Sequence, residues 1–244
     1  MLLSLLQGGD IKSIIVSLLL SLPVILFALT VHEASHGLVA YWCGDPTAKN
    51  LGRLTLNPLK HLDPIGFLCM MLVGYGWAKP VPINTRNFRN HKQGMALSAA
   101  AGPLSNLLFG IVSALFYGFF SAFDSYLFYR FGESSAIFVA VGWLTTLFYL
   151  GALFNFVFSF FNLIPVPPFD GSRLALVFLP PKAYFGIMRY ERQILLGVLI
   201  AMILLNNFLD FSPFSWLADK LIDLIYTPVS NGFWNIFRNA LLKT

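Results

Sequence analysis

The fold turns on "IKSIIVSLLLSLPVILFALTVHEASHGLVAYW", residues 11–42. Apart from Lys12 near its start, the run is apolar until it reaches His32, Glu33 and His36. About 20 apolar residues cross a bilayer, so the run reads as a membrane-spanning helix, with Pro23 as a candidate kink. Ionisable groups inside a membrane are costly and usually functional. Three of them within five residues therefore need a partner.

The rest of the chain has the same character. Of its 244 residues, 57% are hydrophobic and 11% charged, and 25 are Phe; the mean hydropathy is +0.72. A soluble domain carries about 25% charged residues, so this is a polytopic membrane protein. A β-barrel would alternate in segments of about 10 residues, and no such alternation is present. The class expected is an all-α bundle of about four to six transmembrane helices, forming a single domain over residues 1–244. The net charge of +5 would suggest nucleic acid in a soluble protein. Here the basic residues lie between hydrophobic segments and read as topology signals, so no nucleic-acid partner is expected. Cys43 and Cys69 form neither a CxxC site nor a disulfide framework. The opening "MLLSLLQGGD" lacks the basic region and cleavage site of a signal peptide.

Further spans are expected at about 94–120 and 136–161, and a fourth is centred on "QILLGVLIAMILL" (193–205). The tail 211–244 alternates apolar and charged positions. It reads as an interfacial amphipathic helix or as a fifth and sixth crossing. Between the first two spans, residues 43–92 are dense in Gly, Pro, Asn and basic residues around the short apolar stretch "FLCMMLV". That pattern suggests an extended, hairpin-like segment at the membrane edge. This loop holds Lys49, Arg53, Lys60, Lys79, Arg86, Arg89 and Lys92, and segment 162–192 holds Arg173, Lys182, Arg189 and Arg192. Loop 121–135 holds only Arg130. The basic loops belong on the cytoplasmic side, which puts the N-terminus outside and HEASH and Asp170 toward the cytoplasm.

On a helix, His32 and His36 stand one turn apart on one face, suited to two imidazoles on one Zn²⁺. Glu33 is rotated about 100° further round and can serve as general base to a zinc-activated water. The alternative, a polar stripe hydrogen-bonded to neighbouring helices, leaves three costly groups with little compensation. A catalytic zinc needs a third protein ligand. His61 and His91 fall in the basic loop, and Asp45 and Asp63 precede prolines in turns. Asp124 and Glu133 belong to the opposite loop. Asp170 stands apart because it ends the longest uncharged stretch, in "NLIPVPPFDGSR" (162–173). Proline-rich backbone at membrane depth is tolerated where it lines a cavity or packs on protein. The competing role for Asp170 is an ion pair with Arg173, three residues on.

Four motifs, "HEASH" (32–36), "GWAKPVPIN" (76–84), "AGPLSN" (101–106) and "NLIPVPPFDG" (162–171), occur in this order. Together they resemble the site-2 protease family of intramembrane zinc metalloproteases (peptidase family M50), in its compact form without PDZ or CBS domains. The resemblance spans about residues 20–175 within a catalytic core of about 11–175, and 176–244 carry no transferable motif. It implies His32, His36 and Asp170 as ligands of one zinc per chain and Glu33 as general base. It also implies that Asn106 and Asn162 position substrate or polarise the scissile carbonyl. Amide side chains could do this without bringing a charge into a low-dielectric site, although ordinary interhelical hydrogen bonds would equally explain them. Gly102 and Pro103 would allow close helix approach or a local break. Segment 51–85 matches the family's membrane-associated hairpin, which would hold a substrate extended by strand addition. Phe169 stands where the pattern leads one to expect Leu.

The implied activity is hydrolysis of peptide bonds within or next to transmembrane segments of other membrane proteins, in a cell membrane with the site toward the cytoplasm. The competing class is a membrane transporter or metal-handling protein whose His and Asp line an ion path. It leaves Glu33 and the proline-rich segment unexplained. The sequence specifies neither the substrate nor an oligomeric state.

Overall fold

The computed structural model describes residues 11–73, 76–167, 169–175, 180, 182, 186–187, 189–209 and 213–242. The opening stretch 1–10, Pro168, Pro181 and Asp210 lie outside the described residues. The described elements are helices α1 (Ile11–Trp42), α2 (Thr47–Asn50), α3 (Pro64–Val73), α4 (His91–Phe131), α5 (Ala136–Asn162), α6 (Asp170–Ala175), α7 (Glu191–Leu209) and α8 (Pro213–Leu241). Short 3-10 turns form at Pro58–Lys60 and Thr85–Asn87. Pro23 sits inside α1 without ending it.

Among the described residues three helices are long and apolar enough to cross a membrane: Ile15–Trp42, His91–Phe131 and Ala136–Asn162. Of the expected four to six spans, these three are shown among the described residues. The 19 residues of α7 run about 28 Å, and the expected fourth span, centred on 193–205, lies within this helix. The tail is one 29-residue helix, α8, which carries Asp219, Lys220, Asp223 and Arg238.

The expected hairpin at 51–85 is also corrected. Its described residues hold no strand; one antiparallel bridge joins Leu62 and Ala78, and "FLCMMLV" lies in helix α3. The cause is local. Asp63 caps α3, its Oδ1 accepting from the N–H groups of Ile65 (3.0 Å) and Gly66 (2.8 Å). Pro64 takes the first helical position, where a missing N–H costs nothing. The Asp-Pro pair is thus a helix start where the sequence suggested a turn.

The chain divides into two compact units, Met1–Asn106 with Phe158–Ser212, and Leu107–Val157 with Pro213–Thr244. In the second, Phe116 and Phe120 stack on Phe148 with ring centroids 5.0 and 5.3 Å apart, and Tyr117 stacks on Tyr226 at 4.6 Å. Tyr149 donates to Asp219 at 3.2 Å, giving one charge of α8 a polar partner.

The first unit holds all the candidate site residues. Its loops are organised by Asp45, which is fully buried. The Asp45 carboxylate accepts from Asn84 N (2.7 Å), Asn87 Nδ2 (2.8 Å), Thr47 N (3.1 Å) and the Thr47 hydroxyl. Burial alone would raise its pKa; the hydrogen bonds from Thr47, Asn87 and Asn84 overcome this and hold it below the usual carboxylate range. Asp45 thereby ties the chain at 84–87 to the end of α1.

Candidate metal centre

His32 and His36 lie one helical turn apart on α1, and both are nearly inaccessible, at 5% and 6% exposure. Their Nε2 atoms are 3.0 Å apart, and each lies 3.1 Å from Oδ2 of Asp170. The rings meet edge to face, with centroids 4.6 Å apart and an interplanar angle of 84°. His36 Nδ1–H donates to the Ser98 carbonyl on α4 at 2.6 Å. That bond fixes the tautomer and turns the His36 Nε2 lone pair toward the other two atoms. His32 Nδ1 is buried and has no partner among the described atoms.

Asp170 reaches this point because α5 stops at Asn162 and the proline-rich connection folds tightly. Val166 N–H bonds to Ile164 O at 2.8 Å and Phe169 N–H to Val166 O at 3.1 Å. Phe169 is buried and packs edge to face on Phe161, centroids 4.4 Å apart, so an aromatic ring serves at this position. Gly171 permits the crossing. A Cβ there would lie 2.3 Å from Leu163 O and 2.5 Å from Ile164 O, so Asp170 opens α6 only because its neighbour has no side chain. Among the described residues Asp170 pairs with both histidines and forms no ion pair with Arg173. Burial would raise the Asp170 pKa, but the two imidazoles beside its carboxylate outweigh it and hold the group below the usual carboxylate range.

Gly102 on α4 closes one side. A Cβ there would lie 2.4 Å from His36 Nε2, 2.6 Å from His36 Cε1 and 2.7 Å from His32 Cε1. Pro103 beside it is fully buried inside α4 and cannot donate to Ala99 O. Asn106, one turn on, is 0% exposed with its Nδ2 unpartnered among the described atoms. Asn162 turns back on its own helix, donating to Phe158 O at 3.0 Å. Glu33 accepts from the backbone N–H of Val81, Oε2 to N 2.8 Å. His61 is buried and braces the loop through Thr55 O (2.9 Å), and the exposed His91 donates to Thr85 O (2.6 Å). Neither joins the cluster. Sequence reasoning missed Val81 and Ser98, because both act through backbone atoms that no side-chain pattern reports.

The donor set fits a metal ion. His32, His36 and Asp170 are the one group of metal-ligating side chains found together among the described residues. Mutual separations of 3.0–3.1 Å approach the edge of about 3.3 Å expected for a tetrahedron with ligands 2.0 Å from its centre.

The model of the family described as Peptidase family M50 matches residues 20–205. The chain belongs to peptidase family M50. The M50 match contains His32, Glu33, His36, Gly102, Asn106, Asn162 and Asp170, and ends near the close of α7. A Bacillus subtilis (strain 168) protein named "Putative zinc metalloprotease YwhC" is 40% identical over 157 residues, 64% of this chain and 68% of that protein. A Mycolicibacterium smegmatis protein named "Putative zinc metalloprotease Rip2" is 28% identical over 185 residues, 74% of this chain and 64% of that one. No solved structure matches the chain.

Proposed function

We propose that this M50 chain is an intramembrane zinc endopeptidase that cuts peptide bonds within or next to transmembrane segments of other membrane proteins. The observation that carries this reading is the triangle that His32 Nε2 and His36 Nε2, buried on a helix long and apolar enough to cross a membrane, form with Asp170 Oδ2 of α6, with Glu33 next to His32. His32, His36 and Asp170 would hold one zinc per chain. A bound zinc supplies Lewis acidity there, lowering the pKa of water to about 7 and polarising the scissile carbonyl.

The remaining work falls to the chain's own groups. Glu33 Oε2 is engaged by Val81, so Oε1 takes the proton from the attacking water and passes it to the leaving amine nitrogen. Ser98 O holds the His36 ring in the required tautomer. The free Nδ2 of Asn106 is suited to donate to the carbonyl oxygen as negative charge develops on it. The Lys and Arg excess of segments 43–92 and 162–192 supports a site that faces the cytoplasm, and the reading takes the membrane to be the plasma membrane.

The test is Glu33→Gln in the full chain. It should keep near-stoichiometric zinc, lose cleavage and retain bound substrates that mass spectrometry identifies. Asp170→Ala should lose most of its zinc. Wild-type protein without stoichiometric metal, or a Glu33→Gln variant that still cuts, would refute the protease reading. A transporter using the same His and Asp would still move metal with Gln at position 33.

A further inference from the structure

Residues 78–84, "AKPVPIN", run past α1 as irregular backbone outside any helix, with one bridge at Ala78. The segment is fastened at both ends. Lys79 N–H donates to His61 O at 2.8 Å, and Lys79 O accepts from the Arg53 guanidinium at 2.8 Å. Asn84 N–H ends on the buried carboxylate of Asp45. In the middle, Pro80 and Pro82 have no N–H to give, so Val81 holds the one amide proton of that tripeptide. It goes to Glu33. The Val81 side chain is itself buried, against Gly37 one turn further along α1.

Fastened ends, flanking prolines and a buried side chain leave Val81 little freedom to choose another acceptor. A half-exposed glutamate on a helix would otherwise distribute over several rotamers, and general-base catalysis needs its oxygen within about 3 Å of the reacting proton. Resting on Glu33 as general base, we propose that the backbone N–H of Val81 is a positioning group for the reaction. It holds Glu33 Oε2 and fixes the carboxylate rotamer. Oε1 is left as the oxygen that exchanges protons with water and leaving amine. Pro80 and Pro82 act by silencing competing donors, and Asp45 acts by anchoring the far end of the segment.

The test removes the donor and keeps the rest. Val81→Pro deletes the N–H in a stretch already punctuated by proline, and incorporation of the α-hydroxy acid of valine at position 81 deletes it without adding a ring. Val81→Ala keeps the N–H. The substrate is a membrane protein retained by Glu33→Gln and identified by mass spectrometry, reconstituted with each variant in liposomes. In both donor-deleted forms kcat should fall roughly tenfold to a hundredfold, the scale of a hydrogen bond to a charged group. KM should stay within about twofold and zinc content should be unchanged, while Val81→Ala retains most of the wild-type kcat.

A readout independent of turnover is the carboxylate stretch of ¹³C-labelled glutamate in metal-free protein. The chain has three glutamates, Glu33, Glu133 and Glu191, and subtracting the Glu33→Gln spectrum isolates Glu33. That band should shift in the donor-deleted forms and not in Val81→Ala. An unshifted band, or a donor-deleted kcat matching that of Val81→Ala, would overturn the proposal. So would a loss confined to KM or to zinc content. Active Glu33→Gln would instead show that the general-base assignment itself is wrong.

Discussion

Gly102→Ala sets two effects of opposite sign against each other. In a helix interior Ala is favoured over Gly by about 0.8–1 kcal/mol, so propensity alone predicts a more stable α4. Packing predicts the reverse. The new Cβ would start 2.4 Å from His36 Nε2, about 1 Å inside an ordinary van der Waals separation of about 3.4 Å. The neighbours cannot yield cheaply. His36 is held by Ser98 O at 2.6 Å and packs edge to face on His32. Overpacking of this kind costs about 1–3 kcal/mol, which equals or exceeds the propensity gain. If the imidazole gives way, His36 Nε2 moves about 1 Å out of a triangle whose sides are 3.0–3.1 Å. Displacements caused outside the ligand set commonly weaken metal binding 10–100-fold.

Gly102→Ala should therefore lower zinc affinity at least tenfold, while α-helical content survives. Competition with a chromogenic chelator in detergent measures the affinity, and elemental analysis measures occupancy. Gly197→Ala on α7, where an added Cβ meets nothing within 4 Å among the described residues, is the control and should bind zinc normally. Wild-type zinc affinity in Gly102→Ala would refute the close packing of α4 on the two imidazoles.

Asp45→Ala should cost about 1–3 kcal/mol, because Thr47 N, Asn84 N and Asn87 Nδ2 lose their charged acceptor. The Asp45 pKa is depressed in the folded chain, so its stabilisation is fully present above the unfolded value of about 3.9 and fades as pH falls through the folded one. Thermal unfolding in detergent should accordingly show the gap between wild type and Asp45→Ala narrowing below about pH 4. Asn106→Leu should leave stability equal or improved, since it removes a buried unpartnered N–H, yet lower kcat by about 10–1000-fold if Nδ2 serves the oxyanion. Unchanged turnover in that variant would end the oxyanion role.

What could be read ahead of the structure was whatever depends on neighbours along the chain. Bilayer thickness makes the long apolar runs legible, and the helical repeat puts His32 and His36 on one face. Asp170 was legible for a different reason, since an isolated carboxylate after so long an uncharged stretch needs a cation. Residues 43–92 were harder. Asp63-Pro64 serves equally as a turn and as a helix start, and capping of Ile65 and Gly66 decided for the helix. Asp45, which read as a turn residue, is the buried anchor of that loop.

The sequence by itself determined the membrane class, and it pointed to the helix of the candidate metal site and to the candidate third ligand. Only the tertiary structure decided that atoms 134 residues apart meet at 3.1 Å, that Gly102 must lack a side chain because two imidazoles fill its space, and that Val81 N–H ends on Glu33. Composition and periodicity report where a residue's side chain tends to go. Close approach and backbone hydrogen bonds depend on which segments the whole chain brings together, and no local pattern encodes them.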